Sequence, residues 1–334
     1  MMPKKASILV LTLWVLTLLV VFSIGIGYNV RSYLRFASHL KKRVKNYYVA
    51  QGGVERGIAA VVNEPAWEND NLTEKWANNQ ELFKDLSLDS GYLTLSYRLN
   101  NFGKEKVVLY GAADESSRIN INKVPSSVLI SLLERIGRIS KEKAIDIAAA
   151  IKDWIDLDDA VSFAGAENKY YKGLDKPYQC KNGEFEFIEE LLLVRGMTPA
   201  ILDKIKEVIT VYSKGKININ TTDALTLYAL GLNQDFARRI IEFRRGGDGK
   251  IGTEDDKVFE TAADIRQMGS LFTEEATQLN SLISKGLFGV NSDTFRVHSL
   301  GRSQAEEDSY QRNITCVFRR QKEKPPKILY WRQE

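Results

Sequence analysis

The chain has 334 residues, 44% of them hydrophobic and 27% charged, with 47 Lys and Arg against 43 Asp and Glu. That composition excludes a disordered chain, and a net charge of +4 is too small to mark a nucleic-acid-binding surface by itself. Two histidines, His39 and His298, leave little material for histidine-based catalysis. Cys180 and Cys316 show no metal-binding spacing and are free to pair as a disulfide in an oxidising compartment or to stay reduced.

Residues 7–28 read SILVLTLWVLTLLVVFSIGIGY without a charge, which matches the ~20 apolar residues that cross a bilayer as a helix. Lys4 and Lys5 precede it, and Arg31, Arg35, Lys41, Lys42, Arg43 and Lys45 follow. The span is long for a cleavable signal, and no A-x-A site follows it. Charge asymmetry alone places the C-terminal side in the cytoplasm. No proline occurs between Val30 and Val62, and apolar residues recur at helical spacing (Val44, Tyr47, Tyr48, Val54, Ile58, Val61). The pattern predicts one helix of roughly 70 Å or more, lipid-soluble in its first half and amphipathic in its second. Gly25, Gly27, Gly52 and Gly53 are expected to weaken or bend it.

After a polar stretch over 63–79, residues 91–99 (GYLTLSYRL) alternate cleanly and predict a strand. A turn over 100–103, a strand over 106–110 and a third at the ININ of 119–122 suggest an antiparallel meander with one solvated face. Helical sequence then runs from Pro125 to about Leu287. Three passages share one pattern, a short apolar helix, a glycine (Gly137, Gly196 or Gly231) at a left-handed C-cap, then an amphipathic helix. These are helix-hairpin-helix units. Where such units bind nucleic acid, the hairpin carries Gly-apolar-Gly and backbone N–H groups meet phosphates. The second glycine is missing in all three, and Glu189, Glu190 and Asp235 would repel phosphate. A second ININ at 217–220 opens the last unit, and Asn122 and Asn220 are placed to help start helices. Strands return at 295–300, 310–318 and 328–331.

Two loops concentrate oxygen ligands. Over 246–256 (GGDGKIGTEDD), Asp248, Glu254, Asp255 and Asp256 can converge on a hard ion such as Ca²⁺, with a backbone carbonyl such as that of Lys250 completing the shell. Over 153–159 (DWIDLDD), Asp156, Asp158 and Asp159, with Glu167 downstream, form a second candidate. Solvated acidic turns and helix caps are the competing readings. Neither cluster carries the partner groups of a carboxylate-pair hydrolase, so the chain reads as a non-enzyme.

The leader and apolar helix, residues 4–11 (KKASILVL), resemble those of type IV pilins and type II secretion pseudopilins. The resemblance implies cleavage by a prepilin peptidase between Ala6 and Ser7, although Ala6 stands where the family usually has Gly. Leu11 stands at the fifth mature position, where most members carry Glu. That carboxylate pairs with a neighbouring subunit's amino terminus, and an unpaired charge in an apolar filament core is costly. A subunit at the tip has no neighbour above it. The departure therefore fits the K-type minor pseudopilin of type II secretion.

Further residues carry the same resemblance: the helix over 47–58, Asp153-Trp154-Ile155-Asp156, Gly165-Ala166-Glu167, Tyr170-Tyr171, Leu193-Val194-Arg195-Gly196-Met197, Lys216 with the second ININ, and Tyr330-Trp331-Arg332. It implies an α+β fold with a long pilin-like helix and a small antiparallel sheet interrupted by a large helical, helix-hairpin-helix-like insertion. The segments are a leader (1–6), the helix (7–62, spanning the membrane over 7–28), a first part of the sheet domain (63–122), the insertion (123–290) and closing strands (291–334). It also implies Ca²⁺ in the helical domain and an inner-membrane, single-pass placement with the globular part in the periplasm, overriding the charge rule. The implied partners are I- and J-type minor pseudopilins, the pseudopilus, prepilin peptidase and the inner-membrane assembly platform, with no nucleic acid. The reading from another class is a membrane-anchored helix-hairpin-helix DNA receptor, which needs Gly-apolar-Gly hairpins and a basic face.

Overall fold

The computed structural model describes residues 4–65, 67–88, 91–100, 106–269, 271–303 and 311–334. Helix α1 (Lys4–Val62) is a single helix of 59 residues, ~88 Å long at 1.5 Å per residue. Its first part is exposed on every side, and its last part buries Asn46, Val49, Ala50, Gly53, Val54, Gly57 and Val61. That i, i+3, i+4, i+7 spacing is the stripe of a helix packed on one side.

A small sheet supplies the other surface. After α2 (Gln80–Phe83) come β1 (Leu86–Leu88), β2 (Gly91–Leu95), β3 (Tyr97–Leu99), β4 (Val107–Leu109) and β5 (Ala113–Asp114). The insertion follows: β6 (Ile119–Asn120), α3 (Ser126–Arg135), α4 (Lys141–Ile155), α5 (Asn168–Tyr171), α6 (Pro199–Ile205), β7 (Ile209–Thr210), β8 (Ile217–Asn218), α7 (Ala224–Ala229), α8 (Gln234–Arg244), α9 (Thr273–Ser284) and β9 (Phe288–Gly289). The chain ends in β10 (Thr294–Arg302), β11 (Gln311–Gln321) and β12 (Lys324–Gln333). The main sheet has the order β1-β2-β10-β11-β12, with β5 also on β10, and every pairing in it is antiparallel. Strands from before and after the insertion thus meet in one sheet.

Glycines set how closely α1 approaches that sheet. A Cβ at Gly53 would lie 2.1 Å from Ser299 Oγ, and one at Gly57 2.7 Å from Val297. On the strand side, a Cβ at Gly301 would lie 2.3 Å from the Asn46 carbonyl oxygen. Gly53 therefore serves contact rather than bending, and α1 runs through it unbroken.

Two expectations need correction. Residues 91–99 are two strands parted at Ser96: β2 pairs with β10, while β3 pairs with β4 in a separate hairpin. The turn expected between β3 and β4 falls mostly on 101–105, outside the described residues. The first ININ is not the third strand of a meander. Ile119 and Asn120 pair in parallel with Ile209 and Thr210, and the second ININ pairs in parallel with Phe288 and Gly289.

The insertion has its own core, separate from that of the sheet and α1. It consists of two matching halves. Each begins at an ININ strand and continues through two helices, a loop and a 3-10 turn (Ile188–Leu193 or Ala262–Gln267). A helix (α6 or α9) then leads to a short strand paired with the opening one. In each half the first Asn side chain accepts the N–H of the second, Asn120 from Asn122 at 2.9 Å and Asn218 from Asn220 at 3.0 Å. The second Asn then clamps the backbone of a distant Phe. Asn122 donates to the Phe185 carbonyl (3.0 Å) and accepts its N–H (2.8 Å). Asn220 does the same to Phe259 at 2.9 and 2.9 Å. The helices themselves are capped elsewhere, α3 beginning after Pro125 and α7 after Asp223, so Asn122 and Asn220 tie loops rather than start helices.

Candidate functional site

The exposed part of α1 carries the first candidate surface. Ile8, Leu9, Leu11, Leu13, Trp14 and their successors through Tyr28 lie open on a helix long and apolar enough to cross a membrane. Leu11 is 65% exposed, an apolar side chain at the position expected for it. The helix begins at Lys4, so Ala6 and Ser7 lie within its first turns. Beyond the span, Arg31, Arg35, Lys41 and Arg43 are exposed, as are Tyr33, Phe36, Leu40, Val44 and Tyr48 on the same helix.

The hairpins of the insertion differ from the expected caps in one place. Gly196 and Gly231 have φ of 81° and 108°, but at the first hairpin the positive φ (55°) falls on Arg138, not Gly137. There a Cβ on Gly137 would lie 2.4 Å from the Leu133 carbonyl oxygen, so glycine is required for space. Asn233 caps α8 through its side chain, and Thr198 caps α6.

The two acidic loops occupy matching places, each following the second helix of its half. In the first, the structure gathers Asp153, Asp156 and Glu167, one carboxylate oxygen of each lying within 4.8 Å of the others. Asp153 and Glu167 are buried and Asp156 exposed. Gly165 permits the approach, since a Cβ there would fall 1.9 Å from Asp153 Oδ2. Asp153 Oδ1 accepts the Ser162 hydroxyl at 2.5 Å. Both Glu167 oxygens are buried with no N–H or O–H reaching them among the described residues; the weakly donating Cys180 thiol lies alongside. Burial, reinforced by the neighbouring acids, pushes the Asp156 and Glu167 carboxyls up. Buried oxygens without donors call for a cation, and an all-oxygen set suits a hard one.

Asp158 and Asp159, expected in this set, turn elsewhere. Asp158 accepts the Ala160 N–H at 2.8 Å, and Asp159 accepts the Asn168 and Asn182 side-chain amides. Sequence reasoning named Asp156 and pointed to Glu167, but placed Asp153 only as the start of the loop. It lies inside α4, one turn before Asp156, and that i, i+3 spacing is the signal that shows it.

The second loop satisfies its carboxylates internally. Asp255 Oδ2 accepts the Gly247 and Asp248 N–H groups at 2.7 and 3.0 Å, which holds its carboxyl below the usual range. Asp248 accepts the Lys250 N–H and Asp256 the Gly252 N–H, both at 2.7 Å. One oxygen each of Asp248, Asp255 and Asp256 also lies within 3.4 Å of the Thr253 hydroxyl. Three of the four expected side chains therefore converge on that hydroxyl, while Glu254 is exposed.

Cys180 and Cys316 are unbonded and buried in different cores, Cys180 in the insertion and Cys316 under the sheet. Burial pushes their thiols up to about 11 and about 12, so both are inert at neutral pH.

A polar junction joins insertion and sheet. Glu115, fully buried just before β6, accepts the Thr210 hydroxyl of β7 and pairs with Arg296 of β10 at 2.7 Å. Asp114 accepts the hydroxyls of Ser292 and Thr221 and the Asn218 side-chain amide. Asp70 pairs with buried Arg320 at 2.6 Å. Burial pushes Asp70 up to about 7 against the opposing pull of Arg320, and Asp114 up to about 6.

The family model described as "Type II secretion system (T2SS), protein K" matches residues 99–214. Type II secretion system protein K of Pectobacterium carotovorum subsp. carotovorum is 27% identical over 239 residues, covering 69% of this chain and 71% of its own length. The protein of that name from Aeromonas hydrophila is 31% identical over 186 residues, covering 52% of this chain and 55% of its own. Among solved structures, a chain in the crystal structure of the GspK-GspI-GspJ complex from the enterotoxigenic Escherichia coli type 2 secretion system aligns with a TM-score of 0.65. The match covers 90% of this chain and 99% of that one at 18% identity, which speaks for the fold. The DNA-receptor reading gains no support from these relatives. With the long helix, the interrupted sheet and the helical insertion in place, the chain is similar to type II secretion system protein K.

Proposed function

We propose that this chain is a minor pseudopilin. It is held in the inner membrane by the apolar part of α1, its globular part lies in the periplasm, and it caps the pseudopilus and helps initiate its assembly for protein export. The observation that carries this is α1 itself: one helix whose exposed apolar half continues without a break into a half locked against the sheet by Gly53 and Gly57. Such a helix transmits any movement of the membrane segment to the head. Its apolar surface is buried first in lipid and then among neighbouring subunit helices, a transfer that leaves the hydrophobic effect satisfied throughout. Leu11 spares the filament core a carboxylate that a tip subunit could not pair. The insertion adds bulk above the sheet that would clash with a subunit stacked on it. Its partners are I- and J-type minor pseudopilins, matching the complex in which the structural neighbour was solved. The role is structural rather than catalytic.

Processing by a prepilin peptidase between Ala6 and Ser7 is tested by co-expression and N-terminal sequencing: a mature protein beginning at Ser7 is expected, and an intact Met1 would sink the processing step. Pull-down of I- and J-type subunits by the full chain tests the assembly, and their absence from the captured material would count against it. Ca²⁺ belongs to the same proposal. Asp153, Asp156 and Glu167 would hold it, and in the second loop Asp248, Asp255 and Asp256 would do so by giving up contacts with Thr253. A bound ion would pin each loop to the helix it follows.

A further inference from the structure

A cavity of about 680 Å³ opens where three parts of the chain meet: the connection after α1 (Trp67, Glu68), the β7–β8 connection (Lys214, Lys216), and the end of β11 with its turn (Arg319, Arg320, Lys322). Five cationic side chains line it against two carboxylates, Glu68 and Asp293. Asp293 is taken up by Lys214 at 2.7 Å and Arg319 at 3.5 Å. Lys216 and Lys322 are exposed and make no ion pair among the described residues. Arg320 is 3% exposed and stacks over the rings of Trp67 and Phe295 at 4.7 and 5.0 Å. Its Nε and Nη2 serve the Ser292 carbonyl and Asp70, but its Nη1 has no hydrogen-bond partner.

Nη1 is itself shielded from solvent, so the unpaired cations that a ligand can reach on the cavity rim are the exposed Lys216 and Lys322. We propose that this cavity is a docking site for an acidic peptide segment of a partner protein, its carboxylates taken by Lys216 and Lys322 and its apolar groups by Trp67. Lys214 and Arg319 are already engaged by Asp293, which leaves two exposed lysines from different segments, each able to take one carboxylate of an acidic chain. Lys offers rim charge that steers the encounter. The site goes beyond the pseudopilin reading, because it needs neither the membrane helix nor assembly.

The test uses the full chain in detergent micelles and a fluorescein-labelled hexaglutamate peptide at low ionic strength, read by anisotropy. Saturable binding is expected. The charge-reversed pair Lys216→Glu and Lys322→Glu, both at exposed positions, should weaken it roughly tenfold or more. Arg35→Glu with Lys41→Glu on α1 should leave it unchanged. Binding that survives the Lys216 and Lys322 reversals, or that is lost with the α1 reversals, overturns the proposal. So does competition by inorganic phosphate at the peptide's own concentration, which would mark a simple anion site.

Discussion

The two halves of the insertion share a skeleton and differ in what hangs from it. Both open on ININ, clamp a Phe backbone with the second Asn, and close on a parallel strand pair. Each clamped Phe stacks on an aromatic from the second helix of its own half, Phe185 on Trp154 and Phe259 on Phe243. A cation near the end of that helix serves the start of the half: Lys152 donates to the Val124 carbonyl, and Arg244 to those of Ile219 and Thr222. Between helix and Phe the halves part. The first carries a long loop with α5 and a buried carboxylate cluster with donorless oxygens; the second carries a short glycine-rich loop whose carboxylates accept amides. Strand pairing and clamp hold the fold, and the loop is free to specialise.

The largest effects should come from the shared clamp. Asn122→Ala strands the buried N–H and C=O of Phe185 and should destabilise the protein by about 2–4 kcal/mol in urea unfolding, whereas Asn220→Ala strands the Phe259 N–H but leaves its carbonyl the Asn69 side-chain amide at 2.8 Å, and should cost about 1–3 kcal/mol. The first loss should be somewhat the larger, because Asn69 backs up only the second clamp. A loss confined to one position would break the equivalence of the halves.

The next effect separates the loops. If Ca²⁺ sits among Asp153, Asp156 and Glu167, a chelator should lower the melting temperature, since a ligand at 100 times its dissociation constant stabilises by ~2.7 kcal/mol. Glu167→Gln should abolish most of that response and Asp255→Asn should not, although the latter loosens its loop by weakening the acceptor for Gly247 and Asp248. A chelator response lost with Asp255→Asn and kept with Glu167→Gln would move the ion to the second loop. No response in either protein would remove it.

A smaller difference is expected at the cations that end α4 and α8. Arg244 is buried and serves two carbonyls; Lys152 is half-buried and serves one. Arg244→Met should therefore cost about 2–3 kcal/mol and Lys152→Met about 1 kcal/mol in the same unfolding experiment. Equal costs would mean that the helix ends are held by packing rather than by these bonds.

How far the sequence shows this depends on the length of the pattern that carries it. The 59-residue helix is legible because apolar and amphipathic periodicity persist over many turns, and the interrupted sheet is legible from strands on both sides of a helical block. The pairing of the strands is not: a two-residue strand such as Ile119–Asn120 carries no register information, and its parallel partner lies far along the chain. The duplication hides behind its unequal loops. Phe185-Glu186 and Phe259-Glu260 mark matching points, but their distances from ININ differ, so a search at fixed period misses them. Helix α9 lies inside the expected helical block, but its match to α6 is missed for the same reason. In the carboxylate cluster, Asp156 is readable as an acidic loop residue, whereas Asp153 reads as helix, and Glu167 arrives only because Gly165 leaves room for it.

The halves also differ in how they meet the sheet, which sets a pH test. Asn218 of the second half bonds Asp114 and the Asp70 carbonyl, whereas Asn120 of the first turns inward to the Ser213 carbonyl. An unfolded aspartate titrates near 3.9, while burial places Asp70 at about 7 and Asp114 at about 6 in the fold. Between those limits the folded protein holds the extra protons, so stability should fall as pH rises from about 4 to about 7 and be greater at pH 5.5 than at pH 8. Glu115, whose carboxyl is held low beside Arg296 and Arg118 despite its burial, works in the opposite sense only below its unfolded value of 4.5, outside this window. Hydrogen exchange corrected for intrinsic rates localises the effect. The Ile217 and Ile219 amides, bonded to Leu287 and Gly289, should lose protection on raising the pH, while the Ile119 and Ile121 amides, bonded to Val208 and Thr210, should change less. Equal change at both strand pairs would mean that the junction acts on the insertion as a whole, and the halves would then differ only in their loops.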